Sequence, residues 1–189
     1  MTVAFIIIDA QNMWFHPDGK MYLTMAQKQV PLILEAKDIF KKKATPTFYT
    51  KVVWDLFEDV PKPLIKSRPL FLNNWIALER GSFGGEIYQE LAPVSGDIVV
   101  EKKYFDAFQT GDLQSKLPKN VETLVFAGTT LNNCVYSSLL SASQRGYKTI
   151  LLEDATSSFP GDNRDHWFSQ MRENLGTDII SVSDLASRL

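Results

Sequence analysis

Three short stretches of the chain end in groups that can do chemistry together. Phe5-Ile-Ile-Ile-Asp9 runs an apolar stretch into a carboxylate. Val99-Val-Glu-Lys102-Lys103 runs another into two amines. Val125-Phe-Ala-Gly128-Thr129-Thr130-Leu131-Asn132-Asn133-Cys134-Val135 leads through a Gly-Thr-Thr turn to the only cysteine. A thiol attacks as thiolate, and its ordinary pKa near ~8.5 leaves little thiolate at neutral pH. A first helical turn capped by Asn132, with a lysine beside it, is expected to lower that value. Asp9 can serve as the general base for the thiol and then as the acid toward a leaving amine. The amides after Gly128 can form an oxyanion hole.

Each group also has a plainer reading. A lone cysteine is usually a small buried hydrophobe. Asp9 can be an N-cap or half of an ion pair, and either lysine a solvated charge. The Gly-Thr-Thr run can be an ordinary turn. Only one of Lys102 and Lys103 can point into a site from a strand, and alternation does not say which.

The elements that would carry these groups can be read from hydrophobic pattern. Val3 to Ile8 is a β-branched and aromatic run of the kind buried on both faces in parallel sheets. Further strands are predicted over 46–53, 97–101, 123–127, 148–152 and 178–182. Helices are predicted over 21–43, 111–117, 132–145, 162–175 and 184–189, the last capped by Ser183. Pro31 should kink or split the first of them. On that helix Met25, Val30, Ile33, Leu34, Ala36 and Ile39 should face inward. Residues 9–19 read as a loop. Residues 55–85, rich in Pro and Gly, read as a long functional loop with short helical pieces, and 87–91 as a helical turn. The alternation implies one α/β domain over residues 1–189, a three-layer sandwich on a mostly parallel six-stranded sheet. Ligands of such sheets bind beyond the carboxyl ends of the strands, where Asp9, Lys102 and Cys134 all fall.

Composition narrows the classes. A net charge of -2 without a basic stripe gives no case for nucleic acid. No apolar stretch is long enough to span a membrane, and the N-terminus lacks the pattern of a secretion signal, so a cytoplasmic protein is expected. One cysteine and two isolated histidines, His16 and His166, offer neither a disulfide nor a metal-ligand spacing. His16 is expected in a loop near the site and His166 on a helix surface. No Gly-rich phosphate loop follows the first strand, and no Gly-x-Ser-x-Gly elbow is present. No cofactor is therefore expected.

Over essentially the whole chain the motifs resemble the isochorismatase-like cysteine hydrolases. The family's opening Asp-x-Gln with an aromatic is seen as Asp9-Ala-Gln11-Asn-Met-Trp14-Phe15. Its lysine with a following Phe element is seen as Lys102-Lys-Tyr-Phe-Asp-Ala107-Phe108. Its Gly-x-x-Thr-x-x-Cys-Val element matches Gly128 to Val135 in part, and Gly146-Tyr147 and Glu153-Asp154-Ala155 are similar too. The resemblance implies an isochorismatase-like hydrolase fold, Rossmann-like in its layering. It implies a triad of Asp9, Lys102 and Cys134, which chooses Lys102 over Lys103. It implies a cis Thr129–Thr130 peptide, an oxyanion hole from the Thr130 and Cys134 amides, and a homo-oligomer, dimer or tetramer. The implied partner is a small-molecule substrate, bound by Gln11, Trp14, Phe15, Trp75, Phe105, Leu131 and Phe159, an aromatic pocket suited to a planar or apolar compound. The implied activity is hydrolysis of a C–N bond in an amide or ureido compound. Vinyl ether hydrolysis, with Asp9 as the acid and no role for a thiol, is the alternative, and a catalytically silent binding protein is a third. Leu131, Asn132 and Asp106 depart from the family's commoner Thr, Asp, and Ser or Asn. The metal-binding Asp/His set of nicotinamidases is missing, since no histidine follows Thr50-Lys-Val-Val-Trp-Asp55.

Overall fold

The structure, a computed structural model, describes residues 2–55, 76–109 and 112–189. Six strands form one sheet: β1 (Val3–Ile8), β2 (Thr47–Val52), β3 (Ile98–Lys102), β4 (Thr123–Gly128), β5 (Lys148–Thr156) and β6 (Asp178–Ile180). Their order is β3-β2-β1-β4-β5-β6, and every neighbouring pair is parallel. The chain therefore winds outward from β1 in one direction, then returns to start again at β4 on its other side. The crevice between β1 and β4 is the topological switch point of such sheets.

Alternation along β1 builds both layers of core. Val3, Phe5 and Ile7 pack on one face against Ala26, Val30, Ile33, Ala36 and Phe40 of α2 (Thr24–Lys42) and Leu185 of α6 (Val182–Arg188). Ala4, Ile6 and Ile8 pack on the other face. There they meet Leu113 of α3 (Asp112–Lys116), Leu139 and Ala142 of α4 (Tyr136–Gln144), and Phe168 and Met171 of α5 (Arg164–Leu175). Because both faces are covered, β1 and β4 are buried throughout and almost wholly apolar.

Several expectations are revised. Helix α2 runs unbroken past Pro31, which lies on the exposed face where water can satisfy the carbonyl that the ring leaves without a donor. Met25 and Leu34 are exposed, and the buried stripe runs instead through Ala26, Gln29, Val30, Ile33, Ala36, Lys37 and Phe40. Residues 9–19 contain a short helix, α1 (Asn12–Phe15). Helix α6 is capped by Ser181, whose hydroxyl accepts from the Asp184 amide, two residues before the predicted cap. Strand β5 extends to Thr156, past the predicted end, after a register shift against β4. Of the predicted loop 55–85, positions 56–75 lie outside the described residues. No described helix is long and apolar enough to cross a membrane.

Candidate active site

Asp9 is the first residue beyond β1 and is fully buried. Its φ of 49° lies in the left-handed region, which Asp tolerates better than most residues but which still carries strain. Three contacts hold it there. Its amide donates to the Thr50 carbonyl at 3.1 Å and to Thr50 Oγ1 at 3.2 Å, and its carbonyl accepts from the Gln11 amide at 2.7 Å. Its carboxylate is then shared. Oδ1 accepts from Thr50 Oγ1 at 2.7 Å, and Oδ2 faces Lys102 Nζ at 2.8 Å.

Lys102 closes β3 and is buried as deeply as its partner. Besides Asp9, its ammonium donates to the carbonyls of Tyr104 at 2.9 Å and Phe105 at 3.0 Å. An ammonium has three donors; two go to these carbonyls, and the Asp9 carboxylate stands beside it as the counter-charge. A buried charge is tolerable when it is paired and hydrogen-bonded in this way. Burial works to lower the Lys102 pKa, but the Asp9 carboxylate and the Cys134 thiol outweigh it, and the ammonium is held above its usual range.

Cys134 lies within hydrogen-bond reach of both Asp9 and Lys102. It sits in a π-helical turn, Leu131–Val135, that precedes α4. Such turns are rare and cluster at functional sites. Asn132 does not cap this turn. Thr130 holds the N-cap position, without a side-chain cap, and the Asn132 amide group instead reaches Asp162 Oδ1 at 3.3 Å. The expected lowering of the thiol pKa is also reversed. Burial pushes the Cys134 thiol up, the Asp9 carboxylate adds to this, and Lys102 offsets only part of it.

The turn before the cysteine is built by close packing. Gly128 has φ 112°, and a Cβ there would stand 2.1 Å from the Ile8 carbonyl oxygen of β1. Only glycine lets the two strands meet at that point. The Thr129–Thr130 peptide is cis. Leu131 donates its amide to the Ser157 carbonyl, and the amides of Asn133 and Val135 both go to the Thr130 carbonyl. Among the described residues the Thr130 amide has no such acceptor.

A cavity of about 280 Å³ opens onto Cys134. Its wall is mostly apolar: Met13 and Trp14 of α1, Met21, Val52 of β2, Trp54, Leu78, Tyr104 and Phe105. Lys103, Asp106, Gln109 and Ser137 supply its polar atoms. Trp14 and Phe105, two of the expected substrate contacts, are in this wall.

Four other expected substrate contacts do not reach this wall. Gln11 is a buried clamp: its Nε2 donates to the Val52 and Gly85 carbonyls at 2.9 and 2.8 Å, and its Oε1 accepts from the Val52 amide at 2.8 Å. Phe15 is fully buried in the core, stacked on Tyr88. Leu131 turns into the opposite core layer with no exposure. Phe159 packs at the edge of the layer formed by α2 and α6. Trp75 lies outside the described residues.

Sequence reasoning missed Met13, Met21, Val52, Trp54, Leu78, Tyr104, Gln109 and Ser137. Two of these carried a usable signal. Ser137 is three residues after Cys134, one turn along the same helical face. Trp54 follows the end of β2, where the rule of strand ends applies as well as it does at Asp9. His16 sits at the end of α1, edge-on to Phe83 with centroids 4.9 Å apart. No group of three or more His, Cys, Asp or Glu among the described residues is arranged to hold a metal.

Sequence and fold are both similar to those of known proteins. The isochorismatase domain profile matches residues 3–184. The isochorismatase family protein YddQ of Bacillus subtilis (strain 168) is 27% identical over 156 residues, covering 82% of this chain and 77% of that protein. The ureidoacrylate amidohydrolase RutB of Azorhizobium caulinodans is 26% identical over 172 residues, covering 81% and 75%. The crystal structure of a cysteine hydrolase from Pseudomonas syringae pv. phaseolicola 1448A superposes with a TM-score of 0.89 at 21% identity. It covers 98% of this chain and 91% of that one, and it shows the shared fold.

Proposed function

This chain belongs to the isochorismatase family, and on that premise we propose that it is a cysteine hydrolase cleaving the C–N bond of a small amide or carbamoyl compound. The observation that carries this reading is the buried contact of Lys102 Nζ with Asp9 Oδ2 at 2.8 Å, with Cys134 in hydrogen-bond reach of both on the wall of a cavity. The amidohydrolase activity named for one relative supports the choice of bond.

In this mechanism the thiol waits protonated beside an ionised Asp9. As Sγ attacks the substrate carbonyl, Asp9 takes the thiol proton. The negative charge that develops on the carbonyl oxygen is held by the amides of Thr130 and Cys134. Collapse of the tetrahedral intermediate breaks the C–N bond, and Asp9 returns its proton to the departing amine. A water molecule then attacks the thioester, losing its proton to Asp9, and the acid product leaves as the thiol is restored. Lys102 does not transfer a proton. Its fixed charge steadies the Asp9 carboxylate before attack and the sulfur anion during it.

A screen of ammonia release over primary amides and ureido compounds tests the reading, with Cys134→Ala alongside. Ammonia release that survives undiminished in the alanine variant would remove the thioester from the mechanism.

A further inference from the structure

The walls of the cavity say what kind of amide it accepts. Its apolar side is made by Met13, Trp14, Met21, Trp54, Leu78 and Phe105. Charged groups also face it, and their partners matter. Lys102 stands behind the wall and is paired with Asp9. Lys103 lies near Asp55, whose carboxyl is held below its usual range first by a hydrogen bond from Arg80 and in smaller part by Lys103.

Among the described residues the remaining charged one in the wall is Asp106, one of the departures from the family pattern. Its carboxylate is fixed in place: Oδ1 accepts from the Phe108 amide at 2.8 Å and Oδ2 from Ser141 Oγ at 2.7 Å. Ser141 Oγ in turn accepts from Arg145 at 2.7 Å, so the balancing guanidinium stands behind the wall, over the Phe108 ring. Among the described residues, Lys102 answers Asp9, and the Lys103 charge acts in part on Asp55.

We propose that this site selects uncharged amides with an apolar body about the size of one ring, and discriminates against substrates that carry a carboxylate. A substrate anion would leave water for an apolar wall and would meet Asp106 there. The cavity lies at the lower end of the usual size range for small-molecule sites, which suits a single ring or a branched chain. The inference concerns which hydrolysable compound enters, and so it rests on the hydrolase reading. It also separates this chain from a relative named for ureidoacrylate, an acid.

Binding to Cys134→Ala tests selectivity apart from chemistry. Phenylacetamide and N-carbamoylglycine are titrated in turn, with quenching of the fluorescence of Trp14 and Trp54 in the wall as the signal. Phenylacetamide is expected to bind at least about 10-fold more tightly. Asp106→Asn, which keeps an acceptor for the Phe108 amide, is expected to narrow that gap. Equal or tighter binding of N-carbamoylglycine overturns the proposal, and so does failure of phenylacetamide to bind. A gap unchanged by Asp106→Asn overturns the part given to Asp106. If phenylacetamide binds but the wild-type enzyme does not release ammonia from it, the hydrolase reading fails and the selectivity stands.

Discussion

At rest the Cys134 sulfur lies between a carboxylate that disfavours its anion and an ammonium that favours it, and burial acts on the same side as the carboxylate. The ultraviolet absorbance of a thiolate, taken as wild type minus Cys134→Ala, should therefore be absent at about pH 8.5, where an ordinary cysteine is half ionised. The same shift has a sign in stability. Above about pH 8.5 the unfolded thiol has lost a proton that the folded one keeps, so folding stability falls by about 1.4 kcal/mol per pH unit. Denaturation of wild type and Cys134→Ala across that range should show the slope in the first and not in the second. The raised Lys102 pKa acts higher up. Its contribution is complete below about pH 10.4 and is lost as pH rises through the folded value. Removing the ammonium has a larger effect. Lys102→Met leaves the Asp9 carboxylate buried without its partner and should cost about 3–5 kcal/mol, of which Asp9→Asn in the same chain should restore a part. Hydrophobic pattern put all three groups at strand ends and left Lys102 and Lys103 open, and the family resemblance chose Lys102. Both in fact reach the site, Lys102 inward to Asp9 and Lys103 onto the cavity wall, because β3 ends between them and the alternation of a strand stops there.

Among the elements, the turns that follow the strands decide the geometry, and they were the least legible part. Hydrophobic runs marked β1 and β4 well, because a strand buried on both faces has to be apolar. The π turn that carries Cys134 has no compositional signature, and it was read as the plain start of a helix. The resemblance, through its Asp-x-Gln motif, implies a substrate contact at Gln11. Its side chain instead replaces a backbone partner between the end of β2 and Gly85, and so fixes the chain that leaves Asp9. Gln11→Ala would leave two carbonyls and one amide buried without partners, each worth about 1–3 kcal/mol. The expected outcome is a loss of stability of at least about 2 kcal/mol in chemical denaturation, with substrate binding by the folded fraction less affected. A substrate contact would show the reverse pattern, a stable variant that binds poorly.

On the scale of the whole molecule, the site exists because of strand order, which no pattern in the chain states. Alternating strands and helices indicated a parallel α/β sheet, but not that β1 and β4 lie side by side. That adjacency joins Asp9 to the turn before Cys134 across the switch point, while Lys102 arrives from β3 with β2 between. Thr50 of β2 fills this interval by bonding both the amide and the carboxylate of Asp9. The cavity wall was only partly foreseen for the same reason, since it is assembled from α1, the end of β2 and the segments after β3. The central claim is that this assembly makes Cys134 the nucleophile. It is tested most directly by acid-quenching the wild-type enzyme during turnover of a cleaved amide, weighing the peptide that contains Cys134, and measuring ammonia release by Cys134→Ala beside it. The expected result is an acyl adduct on Cys134, with turnover lower by at least about 1,000-fold in the variant. Undiminished turnover by Cys134→Ala, with no adduct on the wild-type peptide, would contradict it.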